Sequence, residues 1–116
     1  MREGRQICTV EQVESPSDDH RLHIALAGEL DSATAVDTMV RVSALIGQAP
    51  DVVLDFSGVT FVSASALSLI IRLNEGRLET GGSLAIRGAR SRDRRVLGWA
   101  HLEHLIEGDD DSPAER

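Results

Sequence analysis

Ser63 and Ser65 stand where the segment Val52-Val53-Leu54-Asp55-Phe56-Ser57-Gly58-Val59-Thr60-Phe61-Val62-Ser63-Ala64-Ser65-Ala66-Leu67 passes from a buried strand through a short turn into a helix. A junction of this kind leaves backbone N–H groups pointing outward, and the helix dipole favours a negative charge there. Hydroxyls in that place can face an anion or accept a phosphoryl group. The plainer role is a helix cap, and for Ser63 alone the cap is the favoured reading. A second junction, Gly28-Glu29-Leu30-Asp31, leaves an earlier strand in the same manner. If the two strands are neighbours, Asp31 and the turn from Ser63 to Ser65 share one end of the molecule, beyond the carboxyl ends of the strands.

Other chemistries find little to build on. No Gly-x-Ser-x-Gly elbow surrounds either serine, and no spacing indicates a base with a third group to orient it, so catalysis is not expected. His101 and His104 are separated by one helical turn's spacing, but two ligands without a third read as a polar helix face, and no metal site is expected. Arg87, Arg90, Arg92, Arg94 and Arg95 make a local basic patch able to hold an anionic surface. With Asp93 among them, a solvated helix start is preferred. Trp99 is expected to pack with its indole edge near the surface, and Cys8 to pack in the first strand.

At 116 residues the chain is long enough for one domain with its own core. Aromatic residues make up only 3% and the net charge is −7, so neither a base-stacking platform nor a positive footprint for nucleic acid is present. All 12 basic residues are arginine, which removes a Schiff-base lysine and a phosphate-loop lysine together, and no cofactor is expected. Cys8 is the single cysteine and has no intrachain partner. No apolar run approaches the roughly 20 residues that span a bilayer, so direct membrane insertion is not expected. The start, Met1-Arg2-Glu3-Gly4-Arg5, does not lead into a signal-peptide core, and a cytoplasmic setting is the expectation.

The elements that position the two junctions alternate between strand and helix. Ile7 to Val13 tolerates a strand and ends at the turn signal Glu14-Ser15-Pro16-Ser17-Asp18-Asp19-His20. Leu22, Ile24 and Leu26 alternate with His23, Ala25 and Ala27, a period of two that marks a strand. Asp31 or Ser32 can cap the next helix, in which Val36, Met39, Val40 and Ser43 space as one face, closed by Gly47 and Pro50. Val52 to Phe56 reads as a strand covered on both faces. A helix from about Ser63 to Glu79 carries Leu67, Leu69, Ile70, Ile71, Leu73 and Leu78 around a narrow polar stripe of Ser65, Ser68, Arg72, Glu75 and Glu79. Leu69 and Leu73 border that stripe, with core packing preferred over a partner contact. Thr80-Gly81-Gly82 turns into a strand over Ser83 to Arg87, and a last helix from about Ser91 brings Val96 and Leu97 inward, followed by an apolar patch of Leu102, Leu105 and Ile106. This order predicts an α/β domain: a mainly parallel four- or five-stranded sheet, an antiparallel N-terminal strand, and helices packed on it.

The order of elements, with Gly28-Glu29-Leu30-Asp31, Val52-Val53-Leu54-Asp55-Phe56-Ser57-Gly58-Val59 and Val96-Leu97, resembles a STAS domain of the bacterial anti-sigma factor antagonist branch. The resemblance covers about residues 5 to 107 and leaves 108–116 as an acidic tail expected to fray. It implies a non-enzymatic switch that binds an ATP-dependent serine kinase doubling as an anti-sigma factor, and thereby releases a sigma factor. In such members a serine at the start of the second helix takes the phosphate that breaks the partnership, and a phosphatase restores it.

The family pattern at that spot is Asp-Ser-Ser-Gly, and the matching residues here are Ser63, Ala64, Ser65 and Ala66. The acceptor position is therefore Ala64, which has no oxygen; Ser63 stands in for the aspartate and Ser65 matches the second serine. His101 occupies a place where the family often has glycine. A phosphate carries about −1.5 to −2 charges and would repel Asp31 within an interface, so a chain with Ala64 cannot be switched off at that atom. Constitutive binding is the preferred outcome, loss of phosphorylation control comes next, and takeover by Ser63 or Ser65 comes last. The resemblance places partner binding on Asp31, Ser63, Ala64, Ser65, Ser68, Leu69 and Arg72. A second function class stays open: an assembly subunit of a multi-protein sensing complex or a membrane lipid-transport complex, built with other STAS-complex subunits.

Overall fold

A computed structural model describes residues 8–15 and 19–107. The expected acidic tail at 108–116, the start of the resemblance at residues 5–7, and the centre of the turn signal at 16–18 lie outside the described residues. Four strands form one sheet in the order β1-β2-β3-β4: β1 (Cys8–Val13), β2 (Leu22–Leu30), β3 (Asp51–Val62) and β4 (Ser83–Arg87). β1 pairs antiparallel with β2, and the β2–β3 and β3–β4 pairs are parallel. Helices α1 (Ala35–Ile46) and α2 (Ala64–Glu79) are the crossovers between the parallel strands. Helix α3 (Ser91–Trp99) and a short 3-10 turn (Glu103–Leu105) follow β4.

Strand period decides the layers. Ile24, Leu26, Val52, Leu54, Phe56, Leu84 and Ile86 share one face of the sheet and one core with Met39, Val42 and Ile46 of α1 and Leu67 and Ile70 of α2. Each large side chain fully buried there, such as Phe56, Leu54 or Ile70, contributes roughly 1.5–3 kcal/mol over its exposed state. The opposite face presents His23, Val53 and Ala85, buried but outside that cluster. Val52 to Phe56 is thus covered on both faces as expected, with Val53 fully buried on the side opposite the helical core. Cys8 is buried as expected, and burial pushes its thiol up, away from the reactive thiolate.

β3 runs on where a turn was expected. Ala25 pairs with Asp55 and Ala27 with Gly58, so β3 accommodates one extra residue; a second enters between Val59 and Phe61. Glycine inside a strand marks a bulge rather than a turn here. A Cβ on Gly58 would lie 2.9 Å from the Cβ of Ala27, so the close approach of β2 and β3 requires this residue. β2 likewise continues past Ala27 to Leu30. The bulges let both strands reach the same end of the sheet, with Leu30 opposite Val62.

α1 turns one stripe to the core and leaves the face of Val36 and Val40 outside it. Ala35, Thr38, Met39, Val42 and Ile46 point inward, whereas Val36 and Val40 are 66% and 62% exposed. The helix begins at Ala35 rather than near Ser32, because Asp31 to Thr34 forms a turn of its own. Trp99 is exposed, contrary to its expected packing, and Leu78 is exposed as well. In α2 the polar stripe Ser65, Ser68, Arg72, Glu75 and Glu79 faces solvent as the spacing predicts.

The segment after α3 closes on a backbone motif. Leu102 N–H donates to Leu97 O at 2.9 Å and His101 N–H to Gly98 O at 3.0 Å, the paired bonds of a Schellman cap. His101 occupies the left-handed position of that cap, at φ 60°. Glu107 N–H then donates to Ile86 O at 2.8 Å and extends the outer side of β4. Arg21 links this end to the β1–β2 connection, pairing with Glu107 at 2.7 Å and Asp19 at 2.7 Å.

Candidate functional site: the paired strand-to-helix junctions

The two junctions meet through the backbone. Ser63 N–H donates to Leu30 O at 2.9 Å, so the residue before Asp31 and the residue before Ala64 are bonded neighbours. This places Asp31 and the start of α2 at one end of the molecule, as expected from adjacent parallel strands.

Asp31 is 7% exposed, and its carboxylate is engaged locally. Oδ1 accepts the backbone N–H groups of Ala33 at 2.9 Å and Thr34 at 3.1 Å. Asp31 O accepts from Ala35 N–H at 2.8 Å. Thr34 completes the turn: its hydroxyl donates to Glu29 O at 2.6 Å and accepts Asp31 N–H at 3.0 Å. Asp31 therefore shapes the loop, while Ser32 lies exposed at its surface. Thr34 escaped the sequence reading, although Asp-x-x-Thr before a helix is the pattern of a side-chain-closed turn.

Ser63 caps α2. Its backbone is extended (φ −92°, ψ 164°), and its Oγ accepts Ala66 N–H at 3.3 Å. The same oxygen lies 2.9 Å from Ser65 Oγ, and Ser68 Oγ donates to Ser65 O at 3.0 Å. Ala64 and Ser65 are exposed on the first turn. The cap reading of Ser63 is thus the geometry found, and Ser65 Oγ is exposed but hydrogen-bonded to Ser63 Oγ.

Ser65, Ser68, Leu69 and Arg72 follow i, i+3, i+4, i+7 and form one ridge of α2. Ser68 and Arg72 are exposed and Leu69 is half-buried. Leu69 packs against the core and also lines an open groove of about 370 Å³ between α1 and α2, whose walls include Val36, Val40, Arg72 and Leu73. Val36, Met39, Val40 and Ser43 share one face of α1, as their spacing predicts, and that face lines the groove; periodicity alone does not show that Val36 and Val40 meet solvent there.

The remaining candidates do not join this site. His101 lies in the cap after α3 and His104 in the 3-10 turn, so they share no regular helix face. Among the described residues no group of three or more His, Cys, Asp or Glu could hold a metal, and no helix is long and apolar enough to cross a membrane. In the arginine patch, Arg90 donates to Ser57 O, Arg92 pairs with Asp93 and Arg94 donates to Ala89 O, so these three brace the β4–α3 region.

A four-stranded sheet with one antiparallel edge, two crossover helices on one face and a capped serine turn beside an Asx turn defines a class of small α/β domain. Residues 13–107 match the family model described as "Mlab, STAS domain", and the chain belongs to the STAS domain family. No match was found among curated protein sequences. The fold is that of the anti-sigma factor antagonist SpoIIAA in its unphosphorylated form (TM-score 0.70, 17% identity, covering 92% of this chain and 91% of that one). An anti-sigma factor antagonist from Mycobacterium paratuberculosis is similar (TM-score 0.69, 18% identity, 94% and 90% covered). So is part of the murine anion transporter Slc26a9 (TM-score 0.72, 13% identity, 95% of this chain and 20% of that one). At these identities the likeness is one of fold.

Proposed function

We propose that this chain is an anti-sigma factor antagonist that binds a kinase-type, ATP-binding anti-sigma factor in the cytoplasm and so frees a sigma factor. It works as a binding module rather than an enzyme. Its partner surface comprises the Asp31 loop, Ser63, Ala64 and Ser65 at the start of α2, and the ridge of Ser68, Leu69 and Arg72. The observation that carries this reading is the Ser63–Leu30 backbone bond, which holds the exposed Ala64 turn against the Asp31 loop. Likeness to two anti-sigma factor antagonists over nine-tenths of the chain supports it.

Ala64 makes the module constitutive. No hydroxyl stands at the usual acceptor position, Ser63 Oγ is committed to its cap, and Ser65 lies one residue further along the helix. One residue is about 100° of rotation, which takes Ser65 out of line with a donor poised for position 64. A second reading, a STAS scaffold subunit of a sensing or lipid-transport complex, draws support from the same residue, since a permanent subunit has no use for an acceptor. The likeness to a segment of a transporter also favours it.

Ala64→Glu separates the outcomes. It adds a carboxylate beside the Asp31 loop on an exposed turn that tolerates it structurally. Binding to the purified kinase-type anti-sigma factor, measured by calorimetry, should weaken by roughly 10- to 1,000-fold. Wild-type affinity in a folded Ala64→Glu protein contradicts the proposed surface. Absence of kinase binding by the unmodified chain, with binding to a transport ATPase instead, selects the second reading.

A further inference from the structure

We propose that the groove between α1 and α2 is a docking site for an amphipathic helix of the partner, with two or three apolar anchors and a carboxylate aimed at Arg72. This rests on the partner-binding reading above and names the part of the surface that supplies its apolar anchorage. Val36 and Val40 form one wall, an i, i+4 pair that is 66% and 62% exposed. Leu69 and Leu73, another i, i+4 pair, form the other; Met39 is the nearly buried residue between them. β-branched residues are poor choices for a solvated helix face, so α1 sacrifices helix propensity here for nothing inside its own fold. Two apolar walls, each about one helical turn long, match the i, i+3/i+4, i+7 anchors by which a helix lies in a groove.

The occupant follows from shape and charge. The site is concave, and a second copy related by a two-fold axis would set trough against trough and Arg72 against Arg72. A convex ridge fills it instead. Arg72 is exposed with no ion-pair or hydrogen-bond partner among the described residues, on a chain whose net charge is −7. An acidic residue on the incoming helix completes it. Arg72 and Leu69 also sit on the ridge that begins at Ser65, so one continuous surface runs from the Ala64 turn into the groove.

The test uses the full chain and synthetic helices, independent of the kinase. An isotope-labelled sample is titrated with a stapled helix carrying leucines at i, i+4 and i+7 and glutamates elsewhere. A lysine twin and a scrambled peptide serve as comparisons. Shift changes should centre on Val36, Val40, Leu69, Arg72 and Leu73. The glutamate helix should bind at least tenfold more tightly than the lysine twin, and Val40→Gln, at an exposed helical site, should cost at least tenfold. Equal binding of the scrambled peptide, shifts centred elsewhere, or concentration-dependent self-association abolished by Val40→Gln would overturn the proposal. Peptide binding reports on the groove alone and kinase binding by Ala64→Glu on the switch-end surface, so failure of one is distinguishable from failure of the other.

Discussion

The backbone N–H of Ser63 donates to Leu30 O at 2.9 Å, and this bond joins the start of α2 to the loop that Asp31 closes. Two separate crossovers thereby present one surface. The side chain of Ser63 completes the junction by accepting Ala66 N–H at 3.3 Å.

Ser63→Ala removes that acceptor and leaves an N–H of the first turn without its side-chain partner. The expected loss is about 1 kcal/mol, seen as a fall of about 4 °C in the thermal midpoint. Ser65→Ala should change the midpoint far less, because the exposed Ser65 hydroxyl caps nothing. Equal effects of the two substitutions would show that the cap is not what Ser63 supplies.

His101 sits at φ 60° in the Schellman cap that ends α3. A β-carbon in the left-handed region costs energy that glycine avoids, partly offset by the greater freedom glycine has when unfolded. His101→Gly should stabilise by about 0.5–1 kcal/mol in urea unfolding, and the β-branched His101→Val should destabilise. A destabilised His101→Gly protein would mean the imidazole makes a compensating contact.

Asp19 governs an acid-sensitive contribution. Its carboxyl is held well below the usual range first by hydrogen bonds from the Arg21 guanidinium, then by the Arg21 backbone N–H at 2.9 Å. A folded-state value below the unfolded value of about 3.9 stabilises the protein fully above that pH, and the contribution is lost as pH falls below about 4. Arg21 is shifted upward and stays charged throughout, so it adds no slope of its own. Asp19→Asn should lower the urea midpoint at pH 7 and flatten its decline between about pH 4 and pH 2. An unchanged acid slope would remove Asp19 from the account.

Much of this architecture was legible because hydrophobic period is a local signal. The alternation from Leu22 to Ala27 and the polar stripe from Ser65 to Glu79 each appear where spacing placed them. The STAS resemblance carried the expected topology, and residues 13–107 match the family model. What spacing could not reveal was set by pairing between distant segments. Gly58 looked like a turn because its bulge is defined only against Ala27 of the neighbouring strand. Val36 and Val40 share a face with Met39 and Ser43 as spacing predicts, but an apolar pair on a helix does not disclose which way the helix is rolled. At the site, Ser63 was readable as a cap from its own neighbours. The engagement of Asp31 with Ala33 and Thr34 depends on how the turn folds back, and the bond from Ser63 to Leu30 on the pairing of β2 with β3, which spacing along the chain does not encode.

The absent hydroxyl at position 64 is the central claim, and phosphate stoichiometry tests it most directly. The wild-type chain and Ala64→Ser are incubated with the purified anti-sigma kinase and ATP, and phosphate is mapped by mass spectrometry. The account predicts that wild type stays unmodified and bound to the kinase, whereas Ala64→Ser takes phosphate at residue 64 and is released. Stoichiometric phosphate on wild-type Ser63 or Ser65 would contradict it and make the protein a switch with a displaced acceptor.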